Sequence, residues 1–350
     1  MAKKVLVAMS GGVDSSVAAY LLKEEGWLVR GVTMYLGLES SSQKNSAYNG
    51  QTIDLAKRIA KKLGIPHYVV DFSKNLQEEV IAPFVSEYLK GRTPNPCVEC
   101  NRNLKFGSLL KKARVLGFDF LATGHYAKIE NFAGNFFLKK AKDKNKDQSY
   151  FLYPIKKEYL KFIKFPLGEF TKEEVRALAK KIGLEVAERP ASQDICFFSE
   201  KNYRNFLVKE VSQKEGDIVD LKGNILGKHK GIGFYTVGQR EGLGIALGKP
   251  LYIVDIDSER NRIIVGDKED LLAQSLSVEN LNILVDNLPK RAFAKIRYRH
   301  KEAECRIFLE EDKARVFFYE PQEAITSGQS IVFYDKDRVL GGGVIKEVLK

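Results

Sequence analysis

The stretch VLVAMSGGVDSS at residues 5–16 decides the fold of this chain. Its first five residues are apolar and predict a buried strand, and the apolar spacing that follows predicts a helix from Val13 to Glu25. Gly11 and Gly12 let the backbone turn sharply and approach a ligand with no Cβ in the way. Backbone N–H groups and the helix dipole then favour an anion at the start of the helix. The stretch therefore predicts a phosphate site at a strand-to-helix turn.

The polar residues of this turn indicate which phosphate chemistry it serves. Ser10, Ser15 and Ser16 supply hydroxyl donors, and Asp14 is a candidate to hold Mg²⁺ through water. The lysine of the G-x-x-x-x-G-K-[ST] loop is missing at the required spacing, which argues against transfer of a γ-phosphate. The turn instead resembles the PP-loop of enzymes that split ATP into AMP and pyrophosphate. A glycine turn that only connects a strand to a helix is the alternative interpretation.

The first half of the chain alternates apolar runs with helical patterns. Strands are predicted at Val5–Met9, Val29–Tyr35, His67–Asp71 and Phe120–Gly124, and helices at Leu55–Leu63, Leu76–Leu89 and Leu104–Leu116. The alternation predicts an α/β fold with a parallel sheet and helices on both faces. Ligands bind such sheets at the carboxyl ends of the strands. Because Ser10–Ser16, Met34 and Gly124-His125 all follow or end strands, we expect them to meet in one crevice.

The second half has a different composition, which begins near Phe198. Nine glycines lie between Gly216 and Gly248, which is typical of a small, loop-rich mixed domain. From about Leu276 the pattern is all-β, and short strands separated by turns predict a small barrel. Within it, a basic set is predicted to share one strand face: Lys295, Arg297 and Arg299. We therefore expect three domains, at residues 1–200, 201–275 and 276–350.

Composition limits the class of protein. The 350 residues contain no apolar run of about 18 residues, so no transmembrane helix is expected. The N-terminus also lacks the pattern of a secretory signal, and we expect a cytoplasmic protein. The formal net charge of +12, from 57 Lys and Arg against 45 Asp and Glu, suits a polyanionic partner such as a nucleic acid. A lysine-rich surface that serves solubility alone is the other interpretation of this charge.

Four cysteines are too few for a disulfide scaffold in a chain of this size, and their placement points to chemistry. Cys97 and Cys100 follow two prolines that hold the chain extended, and a helix predicted from Asn101 would lower the pKa of the Cys100 thiol. Cys196 lies in a short turn, and Cys305 is interpreted as structural. A zinc site and a buried structural pair remain alternatives to a reactive pair beside the ATP site.

Seven motifs resemble those of bacterial tRNA-specific 2-thiouridylases and occur in the same order. They are SGGVDSS, TPNPCVECNxxLKF, ATGHYA, KDQSYFL, SQDICF, HKGIGFYTVGQREGLGI and PLYIVDID, and the resemblance spans Val5 to about Val344. It implies a PP-loop catalytic domain, a small central domain that contacts tRNA, and a C-terminal β-barrel. Enzymes of this family put sulfur on C2 of the wobble uridine of tRNA.

The resemblance also implies a reaction. ATP, with Mg²⁺, adenylates the C2 oxygen of the uridine, and pyrophosphate and then AMP are released. Cys196 matches the cysteine that carries a persulfide, and Cys100 matches the nucleophile that releases the sulfur or closes a disulfide with Cys196. AMP makes C2 a better electrophile because it leaves more readily than hydroxide. A sulfur-donor protein, either a cysteine desulfurase or a sulfur-relay protein, is implied as the partner that loads Cys196.

Binding residues follow from the same resemblance. The ATP positions are Ala8, Met9, Ser10, Gly11, Gly12, Val13, Asp14, Ser15, Met34 and Gly124. The tRNA positions are Asn95, Pro96, Cys97, His125, Lys146, Asp147, Gln148, Arg297, Tyr298 and Gln329. Tyr126 and Tyr298 are candidates to stack on an exposed base. Plain structural roles are the alternatives, with Met34 and His125 as interior residues and Lys146 as part of a solvated charge run.

Cys97 departs from the many family members that carry aspartate at this position. The resulting C-x-x-C, together with Cys196, offers three thiolates, enough to hold a [4Fe–4S] cluster with one open iron for the transferred sulfur. A spare or resolving thiol is the other interpretation of Cys97. Two other functions stay open, a PP-loop ligase or amidase acting on a small molecule and a non-catalytic RNA-binding protein. The first leaves the cysteine segments unexplained, and the intact Asp14 argues against the second.

Overall fold

Residues 2–37, 50–189, 214–245 and 248–349 are described by the structure, which is a computed structural model. The chain divides into two units. The first unit comprises Met1–Val80, Cys97–Glu200 and Asp337–Leu340, and the second comprises Ile81–Pro96, Lys201–Lys336 and Gly341–Lys350. The Cys196 segment lies outside the described residues. None of the helices in the described ranges is long and apolar enough to cross a membrane.

The first unit is built on a parallel sheet. The strands of the parallel sheet are β1 (Lys4–Ala8), β2 (Leu28–Tyr35), β3 (His67–Asp71), β4 (Phe120–Thr123) and β7 (Ile163–Lys164). Two further strands of this unit, β5 (Lys128–Phe132) and β6 (Asn135–Lys139), form a hairpin. The parallel sheet has the order β3-β2-β1-β4-β7, and Val5 in its centre pairs with Val29 on one side and Phe120 on the other. Because β1 is covered on both faces, its sequence shows no polar alternation. The predicted parallel sheet is confirmed.

The helices follow the predicted alternation. They are α1 (Val13–Glu24), α2 (Gly50–Lys62), α3 (Ser73–Leu76), α4 (Ala82–Leu89), α5 (Pro96–Glu99), α6 (Leu110–Val115) and α7 (Lys172–Lys181). Two π-helical stretches continue them, Gln77–Ile81 between α3 and α4 and Cys100–Leu109 between α5 and α6. Apolar residues of α1, α2 and α7, such as Val17, Ile59 and Val175, share a core with β1. Between β6 and α7 lie 3₁₀ turns at Ser149–Phe151 and Lys157–Phe162.

The helix that carries the cysteines begins earlier than predicted. It starts at Pro96, where a proline fits the first helical turn because its missing N–H has no partner there in any case. Cys97 therefore lies in the first turn, and Cys100 follows one turn later. The prediction that a helix begins at Asn101 with Cys100 at its mouth is wrong.

The second unit contains a mixed sheet and a barrel, except for the first three residues of the last barrel strand, which belong to the first unit. The mixed sheet has the order β10-β11-β8-β9 and is formed by β8 (Gly216–Val219), β9 (Ile225–His229), β10 (Tyr252–Asp257) and β11 (Arg262–Gly266). The barrel strands are β12 (Leu272–Ile283), β13 (Arg291–Lys295), β14 (Ala303–Glu310), β15 (Lys313–Glu323), β16 (Ser330–Asp335) and β17 (Arg338–Leu349). They follow the order β12-β15-β14-β13-β16-β17, and pairing of β12 with β17 closes the barrel. The predicted fold class is confirmed.

The prediction of a basic strand face in the barrel is wrong. Strand β13 ends at Lys295, so Lys295, Arg297 and Arg299 do not share a face of one strand. Arg297 instead turns inward, and its Nη1 donates to the carbonyl oxygens of Glu323 and Ala324 at 3.0 and 3.3 Å. These two hydrogen bonds hold the chain in a turn where the alternating sequence predicts extended backbone.

Candidate nucleotide and cysteine site

The glycine turn lies at the carboxyl end of β1, where a parallel sheet binds its ligands. Gly11 has a φ of 70°, and a Cβ there would lie 2.8 Å from the carbonyl oxygen of Thr52, so both backbone and space require glycine. The hydroxyls of Ser15 and Ser16 donate to the Gly12 carbonyl at 3.1 and 2.8 Å. No side chain of the described residues caps the N-terminus of α1, whose N–H groups can therefore receive an anion.

The end of β4 lies against the same turn. A Cβ added at Gly124 would lie 2.6 Å from the backbone nitrogen of Ser15. The structure thus brings Gly124 to the glycine turn, as the sequence predicts. Met34 is 3% exposed in β2, where its backbone pairs with Val70. Its contact with a nucleotide stays a prediction.

Asp14 is held by two residues that its motif does not identify. Lys172 Nζ donates to Asp14 Oδ1 and Oδ2 at 2.6 and 2.7 Å, and Tyr126 Oη donates to Oδ1 at 2.8 Å. The Lys172 side chain is only 6% exposed, and a Thr171–Glu174 capping box fixes the start of its helix, α7. Burial, together with the Asp14 carboxylate, raises the pKa of Tyr126, which therefore stays protonated and donates. Asp14 is accordingly a fixed, charge-paired acceptor.

The loop at residues 146–148 supports Tyr126. Gln148 N donates to Tyr126 O at 2.8 Å, and Tyr126 N donates to Gln148 Oε1 at 2.9 Å. Asp147 Oδ1 accepts from Ala141 N at 2.9 Å, and Lys146 is exposed. Asp147 and Gln148 therefore shape their own loop. Contact of the three residues with tRNA stays a prediction.

Cys97 and Cys100 share one helical run with a lysine. Cys100 is buried, and Cys97 is half-buried. Burial raises the pKa of Cys97 to about 11, although the nearby Lys105 ammonium opposes the rise. Lys105 Nζ donates to Asn101 Oδ1 at 3.0 Å, and Asn101 Nδ2 donates to the carbonyl of Phe151 at 2.9 Å. Lys105 is thus held where its positive charge favours a thiolate.

His125 joins the end of β4 to Lys105. Its Nδ1 lies 2.7 Å from Thr123 Oγ1, and its Nε2 lies 3.5 Å from Lys105 Nζ. Burial, and then the Lys105 charge, lowers the pKa of His125 well below its ordinary value, so the ring is neutral. Since an ammonium only donates, Nε2 is the acceptor and Nδ1–H donates to Thr123. The His125 ring lies against Phe106 and Phe165, with ring centroids 5.9 and 6.0 Å away, and its contact with tRNA stays a prediction.

The predicted tRNA residues of the second unit make contacts within that unit. Gln329 Nε2 donates to the carbonyl oxygen of Thr93 at 2.9 Å. The Tyr298 ring lies 5.7 Å from Lys295 Nζ. Asn95 is half-buried. Contact of these residues with tRNA stays a prediction, as it does for Arg297 and Pro96.

The described residues do not fit a metal centre, because no three of their Cys, His, Asp or Glu side chains form a cluster. Cys196, the third thiol of the predicted [4Fe–4S] site, lies outside them, and Cys97 and Cys100 alone are too few donors. Both oxygens of Asp14 accept from Lys172, and the predicted hold of Asp14 on Mg²⁺ through water stays a prediction. Cys305 is buried in β14, and burial raises its pKa to about 12, as expected of a structural thiol.

Three family models match the chain, in order along it. They are described as the tRNA methyl transferase HUP domain, over residues 3–200, its PRC-barrel domain, over 204–267, and an aminomethyltransferase β-barrel domain, over 273–345. A protein of Syntrophus aciditrophicus named tRNA-specific 2-thiouridylase MnmA 1 is 53% identical over 348 residues, which are 99% of this chain and 94% of that protein. The tRNA-specific 2-thiouridylase MnmA of Acetivibrio thermocellus is 50% identical, over 98% of this chain and 99% of its own length.

The chain belongs to the tRNA-specific 2-thiouridylase family.

Three side chains at the candidate site of this thiouridylase make contacts that the sequence does not predict. Lys172 pairs with Asp14 across 158 residues, and its only local signal is the capping box beside it. Tyr126 is predicted to stack on a base, whereas its hydroxyl binds Asp14. Lys105 lies inside the motif TPNPCVECNxxLKF, and its place near Cys97 depends on the helical winding between them.

Proposed function

We propose that this protein is an ATP-dependent sulfurtransferase that replaces the C2 oxygen of the wobble uridine of tRNA with sulfur. Three consecutive residues carry the proposal. Gly124 lies against the glycine turn, His125 contacts Lys105 of the cysteine helix, and Tyr126 donates to Asp14. One strand end therefore contacts both a nucleotide site and a thiol site, as activation followed by sulfur transfer requires. Relatives named thiouridylases match over nearly their whole length, which supports the same conclusion.

The first step activates the uridine. The ATP phosphates bind at the glycine turn, where the N–H groups of α1 face them. The C2 oxygen attacks the α-phosphorus, a C2–O–P bond forms, and pyrophosphate leaves. Lys172 and Tyr126 keep Asp14 in one orientation within the turn. We assign Mg²⁺ to the ATP phosphates, whose charge it would neutralise, with Asp14 holding it through water.

The second step transfers sulfur. A donor protein, a cysteine desulfurase or a sulfur-relay protein, loads Cys196 with a persulfide. The Cys100 thiolate attacks Cys196 Sγ, a Cys100–Cys196 disulfide forms, and the terminal sulfur leaves as hydrosulfide. Hydrosulfide then attacks C2, and AMP leaves with the original oxygen. The two cysteines have lost two electrons to that sulfur, and a thiol reductant restores them.

The proposal also covers location and partners. ATP and tRNA are cytoplasmic substrates, so we place the reaction in the cytoplasm. The proposed domains are residues 1–200 for catalysis, 201–275 for tRNA contact, and 276–350 for the barrel. The target base would meet the segment Asn95–Cys97, which enters the cysteine helix.

The test is mass spectrometry of tRNA nucleosides after incubation with ATP, Mg²⁺, cysteine and a cysteine desulfurase. We expect 2-thiouridine together with AMP. Cys100→Ser should lose both 2-thiouridine and AMP and still release pyrophosphate, because adenylation precedes sulfur transfer and AMP leaves only when sulfur attacks C2. Cys305→Ala, which removes a buried thiol of the barrel, is the control. Formation of 2-thiouridine by Cys100→Ser at the wild-type rate would overturn the assignment.

Iron analysis separates the persulfide from the cluster alternative. The protein is purified without oxygen, and its iron content is compared with its activity. Full activity without iron supports the persulfide. Activity that rises in proportion to bound iron would require the cluster instead.

A further inference from the structure

Lys105 is a half-buried ammonium whose polar partners are both neutral. Its Nζ donates to Asn101 Oδ1 at 3.0 Å and lies 3.5 Å from Nε2 of His125, a ring that carries no charge. Among the residues that the structure describes, no carboxylate pairs with it. Withdrawing an ammonium from water without a counter-charge costs free energy. Such a group is typical of a site that receives its anion from a ligand.

The Lys105 side chain is held from two sides. Asn101, which accepts from it, is 2% exposed and donates from Nδ2 to the carbonyl oxygen of Phe151 at 2.9 Å. The His125 ring is held in turn by Thr123, whose Oγ1 lies 2.7 Å from its Nδ1. An ammonium has three N–H donors, so these two acceptors leave one donor for a ligand. The charge of Lys105 is therefore fixed in place and has one direction left to bind.

The winding of the helix places Lys105 beside the thiols. Cys100–Leu109 is π-helical, and in a π-helix the hydrogen bonds run from i to i+5, so residues five apart lie one turn apart. Lys105 therefore follows Cys100 by one turn, whereas in an α-helix the two side chains would point about 140° apart. Lys105 is also close enough to Cys97 for its charge to oppose the rise in the pKa of that thiol. One cation thus lies near both cysteines of the helix.

The proposed reaction releases a small anion at this place. When the Cys100 thiolate attacks Cys196 Sγ, the new S–S bond joins the two cysteines. The S–S bond of the persulfide breaks, and its terminal sulfur leaves with that electron pair as hydrosulfide. Hydrosulfide has no covalent bond to the protein, so it must reach C2 before it diffuses into solvent. A fixed cation one turn from Cys100 would hold it there and raise its effective concentration.

We propose that Lys105 binds the hydrosulfide ion between its release from Cys196 and its attack on C2. The inference rests on the proposed function, because hydrosulfide is an intermediate of that reaction. Lys105 thereby contacts a reacting atom, and Asn101 is a positioning residue that acts through it. A tRNA phosphate is the other anion that this ammonium could bind, and the experiment below separates the two.

The test follows radioactive sulfur through a single turnover. Protein that carries a labelled persulfide on Cys196 is mixed with ATP and tRNA, and labelled 2-thiouridine is compared with labelled free sulfide once the persulfide is consumed. In Lys105→Met the share of sulfur that escapes as sulfide should rise on the order of 10-fold, because the anion is no longer held. This share is a ratio, so a slower release of sulfur does not change it. Pyrophosphate release and the Kd for tRNA should stay within about twofold of wild type.

Two further variants and a rescue guard against a folding defect. Lys105→Arg keeps the positive charge and should keep the escaping share within about threefold of wild type. Lys112→Met removes an exposed charge of α6 and should leave the share unchanged. Sodium hydrosulfide added in excess should restore 2-thiouridine formation in Lys105→Met, because the anion then comes from solution. A misfolded variant would not respond to added hydrosulfide.

Calorimetric titration with sodium hydrosulfide needs neither ATP nor tRNA. Reduced wild-type protein should bind hydrosulfide at a site that Lys105→Met lacks. If the wild type forms no 2-thiouridine and still shows this binding, the proposed function fails and the binding role of Lys105 stands. An equal escaping share in the wild type and Lys105→Met would overturn the inference. A Kd for tRNA that rises about tenfold in Lys105→Met, with the share unchanged, would assign a tRNA phosphate to Lys105 instead.

Discussion

Two lysines set the charge of the candidate site at the scale of single residues. Lys172 is buried against Asp14 of the glycine turn. Lys105 lies near Cys97 and is held by Asn101. Lys172 therefore pairs with a carboxylate at the nucleotide site, and Lys105 offsets part of the rise that burial causes in the pKa of Cys97. Their removal should affect different steps of the reaction.

Lys172→Met removes the charge that pairs with Asp14 and keeps most of the side-chain length. AMP formation should fall on the order of 100-fold, because Asp14 loses its fixed orientation in the turn. The free energy of unfolding should fall by about 1 to 3 kcal/mol, less than for a fully buried pair because Asp14 is partly exposed. AMP release and urea unfolding measure the two effects.

Lys180→Met is the matched control for Lys172→Met. Lys180 belongs to the same helix, and its side chain is 59% exposed in a surface pair with Glu188. Its loss should leave AMP formation unchanged and alter stability by at most about 0.5 kcal/mol. Equal AMP release by the wild type and Lys172→Met would show that the Asp14 pair has no part in ATP use.

The reactivity of Cys97 should depend on pH in a way that Lys105 controls. The thiolate is the reactive form, so the rate at which iodoacetamide alkylates Cys97 should increase with pH. The midpoint of this increase should lie near the Cys97 pKa of about 11. The Lys105 ammonium favours the thiolate and lowers this pKa. Lys105→Met should therefore move the midpoint to higher pH and slow alkylation at about pH 8, in proportion to the fall in the thiolate fraction. Peptide mass spectrometry over a pH series gives the rates.

Lys112→Met serves as the control for Lys105→Met, because Lys112 is exposed on α6. Its removal should leave the midpoint of Cys97 alkylation in place. A midpoint that stays the same or moves to lower pH in Lys105→Met would contradict the assigned electrostatic role.

At the scale of elements, the π-helical stretch Cys100–Leu109 decides how the cysteine helix presents its side chains. Its wider winding changes the angular spacing between Cys100 and Lys105 relative to an α-helix. Gly107 fits this winding because a Cβ there would lie 2.8 Å from the carbonyl oxygen of Arg102. The stretch therefore tolerates only glycine at position 107 without a shift of its backbone.

Gly107→Ala should destabilise the protein although the same change stabilises most helices. The added methyl group meets the Arg102 carbonyl, and we expect a loss of about 1 to 3 kcal/mol in the free energy of unfolding. Gly50→Ala at the start of α2 is the control, since no atom of the described residues lies within 4 Å of its Cβ position. It should raise stability by up to about 1 kcal/mol. Urea unfolding that shows the same gain for both variants would contradict the steric argument.

At the scale of the whole molecule, the sequence predicts best what depends on neighbouring residues. The VLVAMSGGVDSS stretch contains both the central strand and the turn after it, and both are confirmed. The cysteine helix begins at Pro96 because a proline fits the first turn of a helix. The spacing of apolar residues does not predict this start. The Asp14–Lys172 pair and the Thr93–Gln329 bond join positions 158 and 236 residues apart, and no local pattern encodes such contacts.

The net charge of +12 should make tRNA binding depend on salt. Each phosphate that a Lys or Arg neutralises releases counterions, so the logarithm of affinity falls linearly with the logarithm of salt concentration. About four such contacts predict a loss of roughly 100-fold in affinity between about 50 and 200 mM salt, measured by fluorescence anisotropy. Lys146→Met removes an exposed charge of the predicted tRNA loop and should reduce the slope by about one, whereas Gln329→Ala removes no charge and should leave it unchanged. A slope that Lys146→Met does not change would place this loop away from the phosphates, because the slope counts neutralised phosphates and not the total charge of the protein.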